Sequence, residues 1–358
     1  MSNLFKYKWE MSKDYPKEKN GKTVFSCFSC GGGSTMGYKL AGFDVLGCNE
    51  IDPKMMEAYR KNHNPKYSYL EPIQDFKNRN DLPDELYNLD ILDGSPPCSS
   101  FSMAGNREKD WGKEKKFREG QSLQVLDTLF FDFIDLAEKL KPKIVIAENV
   151  KGLLLGEAKS YVYKILESFD KAGYYVDYKL LNAAKMGVPQ RRERVFFYAI
   201  RKDLYKGEFV DLFCRQPYLD LGFNEKEIIF KEIKSTDNDR KIPSLSVKRL
   251  WENRIDKDID MSSTSARIDN KPNKWFNWNY IKNNNIVNTI KGDDTNILYD
   301  EFRYLSNIEL KLIGSYPIDY DFCNNKVDYL VGMSVPPVMT ANIAKRIYEQ
   351  WLNGMEAV

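Results

Sequence analysis

The sequence predicts a doubly wound α/β fold: a mostly parallel, Rossmann-like sheet with a second, smaller and irregular domain. Three observations carry this expectation. Short apolar runs of β type alternate with helical stretches from residue 24 onward, the pattern of parallel strands joined by crossover helices. A glycine cluster follows the first of these runs. Near residue 202 the alternation stops, Asn, Asp and Lys rise, and periodicity weakens. A chain of 358 residues with 42% hydrophobic content can fill one large core or two smaller ones.

The elements follow in order. Residues 24–29 (VFSCFS) read as a strand that runs into the glycine cluster and a short helix. Residues 43–50 (FDVLGCNE) form the next strand, with a helix over 55–61, and 89–93 is an apolar run that ends in Gly94-Ser95-Pro96-Pro97. The longest helix signal spans 122–140, where Leu123, Leu126, Phe130, Phe133, Ala137 and Leu140 recur at intervals of three and four, and Pro142 ends it. A strand over 144–147, a helix over 162–172 and strands over 174–181 and 194–200 complete the sheet. Helices are expected again at 308–313 and 340–352. The division that results is an N-terminal extension (1–22), the domain of the sheet (23–201), a second, irregular domain (202–300) and a C-terminal segment of renewed regularity (301–358).

Composition excludes several classes. The chain has one histidine, His63, so a histidine base paired with a nucleophile, or a multi-histidine metal site, is disfavoured, and no metal is expected. No apolar run reaches the length of a membrane span, and the lysine-rich first 22 residues lack the apolar block of a secretory signal, so a cytoplasmic protein is expected. Six cysteines, unevenly spaced, do not make a disulfide framework. Cys27 and Cys30 have the spacing of half a zinc or redox site but lack a second pair, and are read as lining a buried strand. Charge is uneven: residues 240–291 hold eleven basic and five acidic side chains, a net +6 in a chain whose total is +2. That stretch suits a polyanion or simply a solvated lysine-rich face.

Four clusters carry chemistry. Phe28-Ser29-Cys30-Gly31-Gly32-Gly33 offers a tight strand-to-helix turn with backbone N–H groups at a helix start, suited to a nucleotide-like cofactor or to the turn alone. Glu50, at the end of the second strand, can accept from both hydroxyls of a ribose, and Asp75 from an adenine amino group. In Pro96-Pro97-Cys98 the two prolines fix the backbone and project a thiol from the carboxyl end of a strand; the alternative is a buried structural cysteine. Glu148, at the end of the 144–147 run, can hydrogen-bond a ring nitrogen or cap a helix. In Gln190-Arg191-Arg192-Glu193-Arg194, strand alternation puts Arg192 and Arg194 on one face, where they clamp a carbonyl or phosphate, or form a surface ladder.

Taken together and in this order, these motifs resemble the C5-cytosine-specific DNA methyltransferase family of bacterial restriction-modification type, along nearly the whole chain. Further matches are Asn49-Glu50-Ile51-Asp52-Pro53, Arg303-Tyr304-Leu305-Ser306 through Glu309 and Gly314, and Val335-Pro336-Pro337. The resemblance implies S-adenosyl-L-methionine as cofactor, with S-adenosyl-L-homocysteine as product, held by Phe28, Ser29, Gly31, Gly32, Gly33, Glu50, Ile51, Asp75, Phe76 and Pro97. It implies Cys98 as nucleophile toward C6 of a flipped-out cytosine, Glu148 on N3 and the exocyclic amine, Arg192 on O2 and Arg194 in support. Double-stranded DNA would be met by a mobile loop after the nucleophile (Ser99, Arg107, Lys115, Lys116, Arg118) and by Arg240, Lys241, Lys248, Arg249, Lys271 and Lys274 of the basic stretch. A bacterial, nucleoid-associated monomer with a companion restriction endonuclease is the setting implied. Two departures stand out: Cys30 replaces the family's first glycine, and Met333 the asparagine before Val-Pro-Pro. The alternatives are a transfer-RNA cytosine-C5 methyltransferase, a catalytically silent DNA-binding relative, and a nicotinamide-dependent dehydrogenase, which leaves Cys98, Glu148 and the arginines unexplained. The aromatic group around Trp275, Trp278 and Tyr280 is expected to form a small core, and His63 to shape a helix end.

Overall fold

A computed structural model of the chain describes residues 5–97, 114–115, 124–125, 128–211, 216–236, 242–271, 275, 278–292 and 295–355. The chain forms two compact units. The larger comprises Tyr15–Asn182, Glu193–Gly222 and Thr340–Val358; the smaller comprises Met1–Asp14, Ala183–Arg192 and Phe223–Met339. These bounds cut across the sequence-based division: the extension parts at residue 14, and 183–192 joins the smaller unit.

In the larger unit, β1 (Thr23–Cys27), α1 (Gly33–Leu40), β2 (Asp44–Glu50), α2 (Pro53–His63), β3 (Tyr67–Leu70), α3 (Ile73–Asn78), β4 (Ile91–Gly94), α4 (Leu129–Leu140), β5 (Ile144–Val150), α5 (Lys159–Lys171), β6 (Tyr174–Asn182) and β7 (Glu193–Arg201) alternate. They build a seven-stranded sheet of order β3-β2-β1-β4-β5-β7-β6. β1 to β5 run parallel, and β7 is antiparallel to both β5 and β6. The chain winds from β1 out to β3, then crosses to β4 on the other side of β1. The carboxyl ends of β1 and β4 therefore flank the switch point, where sheets of this kind hold ligands.

The core explains why these residues form these elements. α4 buries Leu129, Phe130, Phe133, Ile134, Leu136, Ala137 and Leu140 as one stripe. It packs with Phe25, Leu92, Val145 and Phe197 of the sheet and Phe169 of α5 in one continuous cluster. Asp52 caps α2, accepting from the backbone N–H of Lys54 (2.8 Å) and Met55 (3.3 Å), and Pro53 follows at the first helical position; such a cap is worth about 1 kcal/mol.

The fold departs from the sequence reading in several places. The 122–140 helix starts only at Leu129, because Gln124–Val125 is drawn into an antiparallel ladder with Glu114–Lys115. β3 and α3 have no sequence signal, being short and partly exposed. The last helix runs Pro337–Ile347 and continues with wider π-type winding over Tyr348–Leu352. Cys27 is buried in β1 as expected, but Cys30 lies beyond the strand in a left-handed turn (φ 49°) and is partly exposed.

In the smaller unit, α6 (Leu245–Glu252), α7 (Met261–Asp269) and a parallel pair, β8 (Trp278–Ile281) and β9 (Thr295–Leu298), enclose Val247, Leu250, Met261, Tyr280 and Ile297, with Trp251, Trp275 and Trp278 packed against them. The aromatic group is thus core, as expected. α8 (Asn307–Ile313) opens with a capping box from Ser306 and Glu309, and Glu309 also takes both terminal nitrogens of Arg303 at 2.8 Å in full burial. Trp9 of the N-terminal segment donates to Ser315 O (2.9 Å) within the same unit. α9 (Val327–Met333) follows, unforeseen in the sequence, and Met333 at its end is exposed. Among the described residues, no helix is long and apolar enough to cross a membrane.

Candidate active site

The turn after β1 is held from beneath by the end of α2. Phe28 (φ 52°), Cys30 (φ 49°) and Gly32 (φ 88°) are all left-handed, and Gly32 N–H closes the turn on Ser29 O at 2.8 Å. A side chain at Gly32 is doubly barred: its φ suits glycine, and a Cβ would stand 2.2 Å from His63 Nε2. The His63 ring packs edge-on against Tyr59, and its Nε2–H donates to Gly31 O at 3.2 Å, which fixes the tautomer because a carbonyl only accepts. Burial, with Lys39 nearby, lowers the His63 pKa to about 3. His63 is thus a neutral prop at a helix end, as its position suggested, though its contact with the glycine turn had no signal in the sequence.

Glu50 ends β2 beside this turn. Its Oε2 accepts from Cys30 N–H (2.7 Å) and its Oε1 from Ile51 N–H (2.8 Å) and Asp52 N–H (2.9 Å). Burial raises its pKa, and these N–H groups oppose the rise. Asp75 is exposed in the first turn of α3, whereas Phe76 is fully buried and stacked on Phe25 at 5.4 Å. Of the turn residues, Ser29, Gly31, Gly32 and Gly33 are buried, and Phe28, Ile51 and Pro97 are partly exposed.

The exit of β4 is pinned in turn. Gly94 faces Phe133 so closely that a Cβ would lie 2.5 Å from the ring, Ser95 N–H reaches Cys27 O (3.4 Å), and Asn149 Nδ2 donates to Pro96 O (3.1 Å). Cys98 itself lies outside the described residues. On the neighbouring strand β5, Glu148 Oε1 pairs with Arg194 Nε of β7 at 2.9 Å, the two side chains only 13% and 14% exposed. Burial lowers the Arg194 pKa, and the carboxylate opposes this.

The two motif arginines do different work. Arg191 is exposed, while Arg192 is buried in the smaller unit and donates to Ile290 O (3.3 Å) and Gly332 O (2.9 Å). Gln190 is buried beside it, donating to Ile313 O and accepting from Ile290 N–H, both at 3.3 Å.

Ser99, Arg107, Lys116, Arg118, Arg240, Lys241 and Lys274 lie outside the described residues, and only the backbone of Lys115 is described. Arg249 is engaged bidentately with Asp269 (3.1 and 2.6 Å), Lys248 faces Glu252 (3.6 Å), and Lys271 is exposed. Arg267 pairs with Asp258 (2.7 Å), and Arg254 lies over the rings of Trp251 and Tyr299.

The profile of the C-5 cytosine-specific DNA methylases matches residues 22–349, nearly the whole chain. The chain belongs to this family. Among curated methylases of the family's kind, the Type II methyltransferase M.FnuDI of Fusobacterium nucleatum is 37% identical over 186 residues, 52% of this chain and 49% of that protein. The Type II methyltransferase M1.HphI of Haemophilus parahaemolyticus is 28% identical over 353 residues, 92% of this chain and 88% of the relative. The chain thus spans about half the length of the first of these relatives and most of the second. Among solved structures, a candidate DNA modification methyltransferase encoded within an E. coli prophage superposes with a TM-score of 0.62 at 20% identity, covering 93% of this chain and all of that one, a likeness of fold.

Proposed function

We propose that the chain is a DNA (cytosine-5-)-methyltransferase that moves a methyl group from S-adenosyl-L-methionine to C5 of a cytosine flipped out of a specific duplex sequence. The observation that carries the reading is the Glu148–Arg194 pair on β5 and β7, next to the strand whose exit leads through Pro96, held by Asn149, to Cys98. A carboxylate paired with a guanidinium, beside a strand whose sequence runs on to a cysteine, supplies the groups that cytosine C5 chemistry needs, without histidine.

The residues at the switch point fit the cofactor. Three backbone N–H groups take three of the roughly four acceptor positions of the Glu50 carboxylate, locking its plane and leaving about one for a ribose hydroxyl. Sequence alone suggested acceptance from both hydroxyls. Asp75 is exposed and able to accept from an amino group, and the start of α1 offers helix N-terminal N–H groups. Phe76, buried against Phe25, supports the site from within the core. When bound, S-adenosyl-L-methionine supplies an electrophilic methyl group and leaves as S-adenosyl-L-homocysteine.

The chemistry then follows from this chain's own groups. The Cys98 thiolate adds to C6, and the electron pair of the C5–C6 bond becomes available at C5. Glu148 stabilises N3 in its protonated form, which offsets the electron density entering the ring, and accepts from the exocyclic amine. The hydrogen bonds favour an exchange of the roles expected for the arginines. Arg194, already against Glu148, is the better candidate for O2, and Arg192, committed to Ile290 O and Gly332 O, supports the backbone that presents the motif. After methyl transfer a base removes the C5 proton and Cys98 is eliminated. Extrusion of the cytosine costs a few kcal/mol, to be met by DNA contacts from the loop after Cys98 and from the basic stretch. No residue of this scheme requires a metal. A companion restriction endonuclease is in keeping with the Type II methyltransferase names of the relatives.

The test is methyl transfer to duplex DNA and to transfer RNA side by side, with trapping of a covalent adduct on DNA containing 5-fluorocytosine. Transfer to DNA and an adduct lost in Cys98→Ser are expected. Transfer to RNA alone would support the transfer-RNA enzyme, and no adduct the silent relative.

A further inference from the structure

Asp93 is a buried acid that the proposed chemistry does not use. It lies in the middle of the sheet, on β4, and is 4% exposed. Its Oδ2 accepts from Ser26 Oγ at 2.7 Å, directly across the ladder on β1, and its Oδ1 from Tyr38 Oη at 3.2 Å, on α1. Ser26 and Tyr38 are likewise buried, at 1% and 0% exposure.

These three residues sit where two loops begin. β1 runs from Ser26 through Cys27 into the turn of Phe28 to Gly32, and α1, which carries Tyr38, starts at the far end of that turn. β4 runs from Asp93 through Gly94 into Ser95-Pro96-Pro97-Cys98. One carboxyl group therefore grips both the strand entering the cofactor turn and the helix leaving it, while standing at the root of the loop that bears the nucleophile. Apolar residues would pack the same space without the cost of burying a charge that has two side-chain donors among the described residues.

We propose that Asp93 is a positioning residue whose carboxylate ties the cofactor turn to the Cys98 loop, so that cofactor affinity and nucleophile placement are set together. The proposal rests on the methyltransferase reading for the identity of the two loops. It carries a pH signature. Burial, with the charge of Glu148 on β5 adding to it and the two hydroxyls opposing, raises the Asp93 pKa to about 7. The ionisable groups that face it are Glu148, Cys27 of β1, Tyr38 of α1 and Tyr59 of α2. On protonation the carboxyl gains an O–H of its own, and one of the two hydroxyls must turn to accept it. The grip is therefore tightest above neutrality.

The experiment compares the wild-type chain with Tyr38→Phe, Ser26→Ala, Asp93→Asn and Asp93→Ala. Affinity for S-adenosyl-L-homocysteine is read by calorimetry, and the rate of adduct formation on 5-fluorocytosine DNA at saturating cofactor by denaturing gels. Tyr38→Phe and Ser26→Ala each remove one hydrogen bond to a charge, and each should weaken affinity and slow the adduct together, by about three- to tenfold. Asp93→Asn should fall between the wild type and Asp93→Ala. Wild-type affinity should rise from pH 6 to 8 with a midpoint near 7, and that dependence should vanish in Asp93→Asn. Should Asp93→Ala fail to fold, the two hydroxyl variants carry the test. Melting temperatures that fall while both readouts stay unchanged, or a change in only one readout, would overturn the tether. Wild-type transfer to duplex DNA reports separately on the methyltransferase reading, and homocysteine-product affinity still tests the tether if that transfer is absent.

Discussion

Acidification should reach the cofactor turn through His63. The ring ends α2 in nearly full burial, and its pKa falls from 6.5 to about 3. Because the folded value lies below the unfolded one, the unfolded chain binds the extra proton between pH 6.5 and 3, and stability is lost as pH falls through that window. Relative to pH 8, the loss at pH 5 is about 2 kcal/mol. Asp93 works the other way: its folded pKa, about 7, lies above the 3.8 of the free group, so lowering the pH from 8 to 5 returns about 2–3 kcal/mol. The two nearly cancel, and a wild-type stability profile would conceal both. His63→Gln separates them, since glutamine keeps an N–H for Gly31 O and does not titrate. In urea unfolding at pH 8 and pH 5, the wild type should lose about 2 kcal/mol against His63→Gln on acidification. As the chain holds one histidine, its ring Cε1–H signal is identifiable by NMR and should keep its position down to pH 5. A signal that titrates near pH 6, or a stability difference indifferent to pH, would refute the account of His63 as a neutral prop.

Four further outcomes are expected. Glu148→Gln should lower methyl transfer by about 10²–10⁴-fold while S-adenosyl-L-homocysteine affinity, measured by calorimetry, stays near wild type, since the role proposed for the carboxyl group is on the base and not on the cofactor. Asn149→Ala frees Pro96 O, and adduct formation on 5-fluorocytosine DNA should slow about tenfold for the loss of a buried hydrogen bond worth about 1–3 kcal/mol; an unchanged rate would remove Asn149 from the placement of the Cys98 loop. Arg192→Lys cannot reproduce a planar fork that reaches two carbonyls, and should cost about 2 kcal/mol in urea melts. Arg249→Ala should change the slope of log affinity against log salt by clearly less than the ~0.9 of a full phosphate contact, because Asp269 already holds that guanidinium; a full change would show that the pair opens to DNA.

The sheet was legible because its strands are nearly continuous apolar runs separated by helices of regular period. Residues 144–147 and 194–200 were read within a few residues of β5 and β7. Tyr67–Leu70 and Ile73–Asn78 were not, since a short edge strand with partly exposed side chains has neither the run nor the alternation that marks burial. The period over 122–140 overstates the helix for the opposite reason. Leu123 and Leu126 continue its period, but the chain from Gln124 to Val125 pairs with a strand instead, and local pattern cannot anticipate a non-local ladder. At the site, motif residues at strand ends could be named from sequence, while their partners could not. Nothing in the neighbourhood of Asp93 in the sequence points to Ser26, and the meeting of His63 with Gly31 joins residues 32 positions apart. Arg192 and Arg194 show the limit most clearly: spacing makes them equivalent, and only hydrogen bonding sends one to backbone carbonyls and the other to Glu148.

Charge divides in the same way between what a sum reveals and what it hides. The net +6 of residues 240–291 survives folding, since an ion pair leaves the total unchanged. Attraction of a polyanion from a distance depends on that total. Contact is another matter, because a phosphate is met by a particular donor. Arg249 and Arg267 would have to leave Asp269 and Asp258, and Arg254 its stack on Trp251 and Tyr299, before meeting one. Lysines such as Lys271, exposed on a flexible stem, reach a phosphate at less cost. Arg249, Arg254 and Arg267 therefore serve first to hold the small unit together, and the salt dependence of DNA binding should track the lysines of the stretch.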